Sequence, residues 1–272
     1  SYRLAQHKSC FVFKHIFGRT SNKKMASESC CAAGIPVKSD YVPRGSRRVV
    51  GDTEIYHVGS GGAPVVLIMD IFGFSFPQVF QVADRIADSG FAVGVPDIFR
   101  GSPWPMDKFP PKPEDNFMEW IKPKMEYLTQ IKPDVDATVS LLRTTAGAKE
   151  GKYGVIGFCA GAALALQAGA QADVGAVGAA HPAFGLLSDG GVSAAECLQC
   201  PVALLPAKGD DVEKVHQVVS TKPFAGKCVL KEFRQQVHGF MAARGDWKDP
   251  LVTAAAAEGI EVFVKLMQEN LS

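Results

Sequence analysis

Beyond Ala63 the chain alternates between short, almost unbroken apolar runs and longer stretches whose apolar residues recur at helical spacing. "PVVLIMD" (64–70), "FAVGVPD" (91–97), "KYGVIGF" (152–158), "VGAVGAAHP" (174–182), "PVALLPAKGD" (201–210) and "KCVLKEF" (227–233) read as strands. Runs with so little polar alternation are expected where a sheet is covered on both faces. "FPQVFQVADRIADSG" predicts a helix that stops on Gly90, and "KPDVDATVSLLRTTAG" one with Pro133 in its first turn and Gly147 past its end. Further helices are predicted over Cys159–Ala170, Val212–Thr221 and Pro250–Gln268, with an edge hairpin over Arg47–Val58. Residues Ile98–Met125 hold six prolines and read as a long excursion or cap, with a short helix near Asn116–Lys124.

Strands alternating with helices imply an α/β fold with a mostly parallel central sheet and helices on both faces. The 272 residues suffice for one large domain with a sizeable core, and nothing after Met25 reads as a linker or a repeat. Residues 1–24 carry Arg3, Lys8, Lys14, Arg19, Lys23 and Lys24 with no acidic residue, and "MASESCC" at Met25 reads as a natural start. The first 24 residues are therefore expected to be a disordered basic leader or non-native sequence, set apart from a domain over 25–272. A net charge of +1 points to neither nucleic acid nor an anionic membrane surface. No apolar run reaches the roughly 18 residues that span a bilayer.

Seven cysteines without framework spacing suggest a reduced, cytoplasmic setting, with organelle import if the leader is genuine. The lone "CLQC" at Cys197 and Cys200 lacks the second pair or nearby histidines that a zinc site needs.

One short stretch breaks the pattern of ordinary strands and helices. "VIGFCAGAALALQAG" (155–169) sets Cys159 between Gly157 and Gly161, where an apolar strand meets an alanine-rich helix. Glycine at both places suits G-x-nucleophile-x-G, a sharp strand-to-helix turn that lifts a nucleophile above the sheet. The adjoining helix N-terminus favours the thiolate, and the Ala160 amide becomes a candidate oxyanion donor. In this chain order the acid and then the base follow the nucleophile. His238, in "VHGFMAARGD" before the last helix, is the candidate base; His216 falls inside a helix, and His181, which could line the pocket, comes too early. Asp210 is the candidate acid, because Asp211 reads as the cap of the next helix. "MDIFGF" (69–74) follows the first core strand, and its Ile71 amide is the second oxyanion candidate.

These motifs together resemble the dienelactone hydrolases, or carboxymethylenebutenolidases: "DIFG", "VPDIFRG", "GFCAG", "PAKGD" and "VHGF", in order over roughly 41–268. The resemblance implies an α/β-hydrolase fold and a Cys–His–Asp triad of Cys159, His238 and Asp210. Members of the family often carry Glu before "IFG", touching the resting cysteine; Asp70 stands there. Phe72 and Phe158 lie inside the shared motifs as supporting residues. Arg100 in "IFRG" and Arg244 in "AARGD" lie in regions comparable to those of two arginines that hold a substrate carboxylate. The expected activity is cysteine-dependent hydrolysis of an activated small-molecule ester or lactone through an acyl-enzyme, with no metal or organic cofactor, in a monomer or weak homodimer. A thioesterase and a non-catalytic binding protein of the same fold are the alternatives.

Overall fold

The computed structural model describes residues 34–271. The expectation for residues 1–24 and the adjacent Cys30 and Cys31 lie outside the described residues.

Five apolar runs form the centre of the sheet: β3 (Pro64–Ile68), β4 (Ala92–Pro96), β5 (Tyr153–Phe158), β6 (Val174–Ala180) and β7 (Val202–Leu205). Every residue in them is buried, which is why they lack polar alternation. The predicted hairpin supplies β1 (Ser46–Val50) and β2 (Thr53–Val58), and β8 (Val229–Leu230) closes the other edge. The eight strands are ordered β1-β2-β4-β3-β5-β6-β7-β8. β1 and β2 run antiparallel to each other and β2 antiparallel to β4; all other neighbours are parallel. β3 therefore has β4 on one side and β5 on the other, a switch point of the kind beside which open α/β sheets bind ligands.

Seven α-helices join these strands among the described residues: α1 (Gln78–Ala87), α2 (Phe117–Ile121), α3 (Lys132–Thr145), α4 (Ala160–Ala168), α5 (Val192–Cys197), α6 (Glu213–Val219) and α7 (Pro250–Asn270). Side chains alternate between faces along a strand. A Cβ on Gly154 would meet Met267 of α7, whereas one on Gly157 would meet Gly161 of α4. The two helices thus cover opposite faces of β5. Asp249 starts α7 by accepting the Leu251 amide at 2.8 Å, with Pro250 in the first position. The buried stripe of α7, Gly259, Ile260, Phe263, Leu266 and Met267, follows the three-and-four spacing of a helix face.

The excursion expected over 98–125 is present as a series of short 3₁₀ turns and α2. It folds on its aromatic side chains: Trp104 meets Phe117 and Trp120 edge-on, and Trp120 stacks on Phe99. Two expectations are corrected. The strand over 227–233 is regular only at Val229–Leu230. At the sheet edge its bonds continue irregularly, from Lys231 N to Leu204 O and from Phe233 N to Pro206 O. The six residues of α5 were not anticipated; too short to show periodicity, the helix begins where Asp189 accepts the amides of Gly191 and Ser193. Cys200 is a buried free thiol. Among the described residues no helix is long and apolar enough to cross a membrane.

Candidate active site

The turn from β5 into α4 has the geometry that its two glycines require. Cys159 adopts φ 57°, ψ −116°, a conformation sparsely populated by residues with a side chain. A Cβ on Gly157 would lie 2.0 Å from the Gly161 carbonyl oxygen, and one on Gly161 would lie 2.2 Å from that of Ile68. The first glycine lets helix and strand cross tightly; the second seats the start of α4 against the end of β3. Backbone bonds hold the strained residue: Cys159 N donates to Ala180 O at 3.2 Å, and Cys159 O accepts from Ala183 N at 3.0 Å. The cysteine is only 5% exposed. Ala160, as the first helical residue, has an amide with no intrahelical acceptor.

His238 and Asp210 meet as expected from their chain order. His238 Nδ1 lies 2.7 Å from Asp210 Oδ1, with side-chain exposures of 3% and 0%. The other oxygen of Asp210 accepts the Ala207 amide at 2.8 Å, which fixes the carboxylate just beyond β7. Asp211 instead accepts the Glu213 amide at 3.2 Å just before α6, whose cap position is Val212 rather than the expected Asp211. His216 lies in α6, as expected.

The loop after β3 packs between these parts. Asp70 accepts the Phe72 amide at 2.9 Å through Oδ1 and the Ala243 amide at 3.1 Å through Oδ2. Burial pushes its carboxyl up to about 6, against the opposing pull of those amides and of His238 and Arg244. The Ile71 carbonyl accepts the Trp104 amide at 2.8 Å, which joins the candidate oxyanion loop to the excursion. Phe72 is buried against Phe76 and Phe109, and Phe158 is fully buried beneath the elbow.

The two candidate arginines separate. Arg244 is buried; its Nη1 donates to the His238 carbonyl at 3.1 Å and its guanidinium lies 4.8 Å from the centre of the Phe109 ring. Arg100 is committed elsewhere: it binds both oxygens of Asp134, at 2.5 and 2.8 Å, and Asp52 at 3.2 Å. Those bonds tie the excursion to α3 and the β1–β2 turn, so Arg100 is not carried into the site. A lone arginine in sequence gives no sign of which distant carboxylates will claim it.

Two participants carry roles that the sequence reading did not give them. His181, at φ 35° just beyond β6, is fully buried, with ring-centre distances of 5.9 Å to Phe158, 5.2 Å to His238 and 5.8 Å to Phe240. Its imidazole is a wedge between the elbow strand and His238. Burial, and then the neighbouring His238, hold it well below the usual histidine range, so it stays neutral. Phe109 links Phe72 of the candidate oxyanion loop to Arg244 of the loop that carries His238. A phenylalanine among six prolines carries no local signal of such a partner. Among the described residues no cluster of three His, Cys, Asp or Glu side chains is placed to hold a metal ion.

Residues 54–271 match the model of the dienelactone hydrolase family. An uncharacterised AIM2 family protein of Schizosaccharomyces pombe is 34% identical over 230 residues, covering 80% of this chain and 88% of its own. A carboxymethylenebutenolidase homologue of Mus musculus is 30% identical over 228 residues, with the same coverage of 80% and 88%. Among solved structures, a putative dienelactone hydrolase of Klebsiella pneumoniae superposes with a TM-score of 0.60 at 16% identity, over 80% of this chain and 93% of that one. That likeness speaks for the fold, and the match across nearly all of the described residues speaks for descent: the chain belongs to the dienelactone hydrolase family and has its α/β-hydrolase fold.

Proposed function

We propose that the chain hydrolyses activated esters or lactones by nucleophilic catalysis at Cys159. The single observation that carries this reading is the buried 2.7 Å contact between His238 Nδ1 and Asp210 Oδ1. It holds an imidazole by one nitrogen, in the way that an orienting acid sets the tautomer and plane of a catalytic base. With Nδ1 committed to Asp210, Nε2 is the nitrogen that serves the thiol.

The Cys159 thiol passes its proton to His238, and the thiolate attacks the carbonyl carbon. The charge that develops on the carbonyl oxygen is met by the amides of Ala160 and Ile71. Collapse of the tetrahedral intermediate breaks the carbon–oxygen bond, and His238 returns its proton to the leaving oxygen. In a lactone that oxygen stays tethered to the acyl group. Water, deprotonated by His238, then attacks the thioester, and the acid leaves as the thiol is restored. A thiolate is a better leaving group than a simple alkoxide, so an ordinary alkyl ester tends to revert from the first intermediate. An enol or aryl oxygen leaves readily, which favours activated substrates.

The test is hydrolysis of an aryl ester and an enol-lactone by wild type and Cys159→Ala. Activity is expected to fall by about 10³-fold or more in the variant. A variant as fast as wild type on both substrates would sink the assignment.

A further inference from the structure

Among the described residues Asp70 is the one carboxylate that bonds both loops flanking the candidate nucleophile. It lies just beyond β3, is 5% exposed, and spends each oxygen on a backbone amide: Phe72 N at 2.9 Å and Ala243 N at 3.1 Å. Phe72 follows Ile71, whose amide is assigned to the oxyanion. Ala243 sits between His238 and Arg244 in the loop that presents the base. The second bond joins positions 173 residues apart.

We propose that Asp70 is a positioning residue, a two-oxygen strap that fixes the oxyanion loop and the base loop relative to each other; the inference rests on the hydrolase reading above. Its hydrogen bonds run to main chain, so the strap holds whatever side chains stand at 72 and 243. This differs from the thiol contact that the resemblance implies for a glutamate here. Aspartate is one methylene shorter, and its oxygens face the two amides. Burial opposes its ionised, doubly accepting form, which the two amides and then His238 and Arg244 of the base loop favour. When protonated, the carboxyl keeps a full acceptor for only one amide.

A displacement of about 1 Å at a reacting group can cost on the order of 100-fold in rate. Asp70→Asn keeps one acceptor but turns an NH₂ towards the other amide. In the full-length chain its kcat on an aryl ester is expected to fall about 10–100-fold, with KM changed less than about threefold. Asp70→Glu is expected to lose kcat as well, because the longer side chain cannot meet both amides in place. Hydrogen exchange on the wild type needs no variant to fold: the amides of Phe72 and Ala243 are expected to be protected.

Wild-type kcat in Asp70→Asn, a fully active Asp70→Glu, or rapid exchange of either amide each overturns the strap. Cys159→Ala as active as wild type would instead overturn the nucleophile assignment, and the amide protection, read without substrate, would stand.

Discussion

At the scale of single residues, the site is assembled from groups held in places that cost free energy. The backbone of Cys159 stores on the order of 1–3 kcal/mol. It is kept there by the Ala180 and Ala183 bonds and by the absence of side chains on Gly157 and Gly161. His238 is held through Asp210, which gives a specific expectation. Asp210→Asn can donate to Nδ1 and so favours the wrong tautomer; kcat should fall about 10³–10⁴-fold while the melting temperature changes little. Asp70 gives a pH signature. Its carboxyl is raised from 3.8 to about 6 by burial, so the folded protein retains a proton that the unfolded chain has released. Stability linked to this group is therefore full below about pH 4 and is lost as pH rises through about 6. Against Asp70→Asn, wild type should lose on the order of 3 kcal/mol between pH 4 and pH 7, read from urea unfolding. Below pH 6 the strap loses an acceptor, so kcat of the wild type should fall there.

At the scale of elements, the sheet and its helices place the site, and the excursion shapes it. α7 lies on β6 so closely that a Cβ on Gly178 would come within 2.7 Å of the Phe263 ring, and Phe263 is fully buried. Phe263→Ala should cost about 3–5 kcal/mol in chemical denaturation. Because that contact lies on the face of the sheet opposite α4, the variant should keep its activity well below its new melting temperature. The excursion reaches back over the site through Phe109, between Phe72 and Arg244. Phe109→Ala removes that wall and is expected to raise KM about three- to tenfold with a smaller change in kcat, measured on an aryl ester.

At the scale of the whole molecule, the strand order explains why residues so far apart in sequence belong together. β3 and β5 are neighbours although β4 lies between them in the chain. The loop that leaves β3 and the elbow that leaves β5 therefore open on the same sheet edge, beside the switch point. β6, β7 and β8 follow in order and bring His181, Asp210 and the base loop to that edge in turn. The centre of the sheet is buried on both faces, while β1 is mostly exposed and β8 has two residues at the edge. Native-state hydrogen exchange should find β5 and β6 opening last, near the global unfolding free energy, and β1 and β8 opening early. Early exchange in β5 would contradict a sheet nucleated on its centre.

What the sequence determined by itself is local or ordinal. Apolar runs and helical spacing marked the elements, because burial on both faces demands residues without alternation. Paired glycines marked the elbow, because a turn that tight excludes side chains at both positions. Chain order and a capping pattern singled out His238 and Asp210 as partners. The tertiary structure alone decided which groups meet across the sheet. It engaged Arg100 with Asp134 and Asp52, set His181 against His238, joined Asp70 to the Ala243 amide and laid Phe109 over Arg244. It also cut the last strand to two residues, where the edge had no further neighbour. Contacts of this kind depend on distances between segments scores of residues apart, and periodicity reports only on neighbours along the chain.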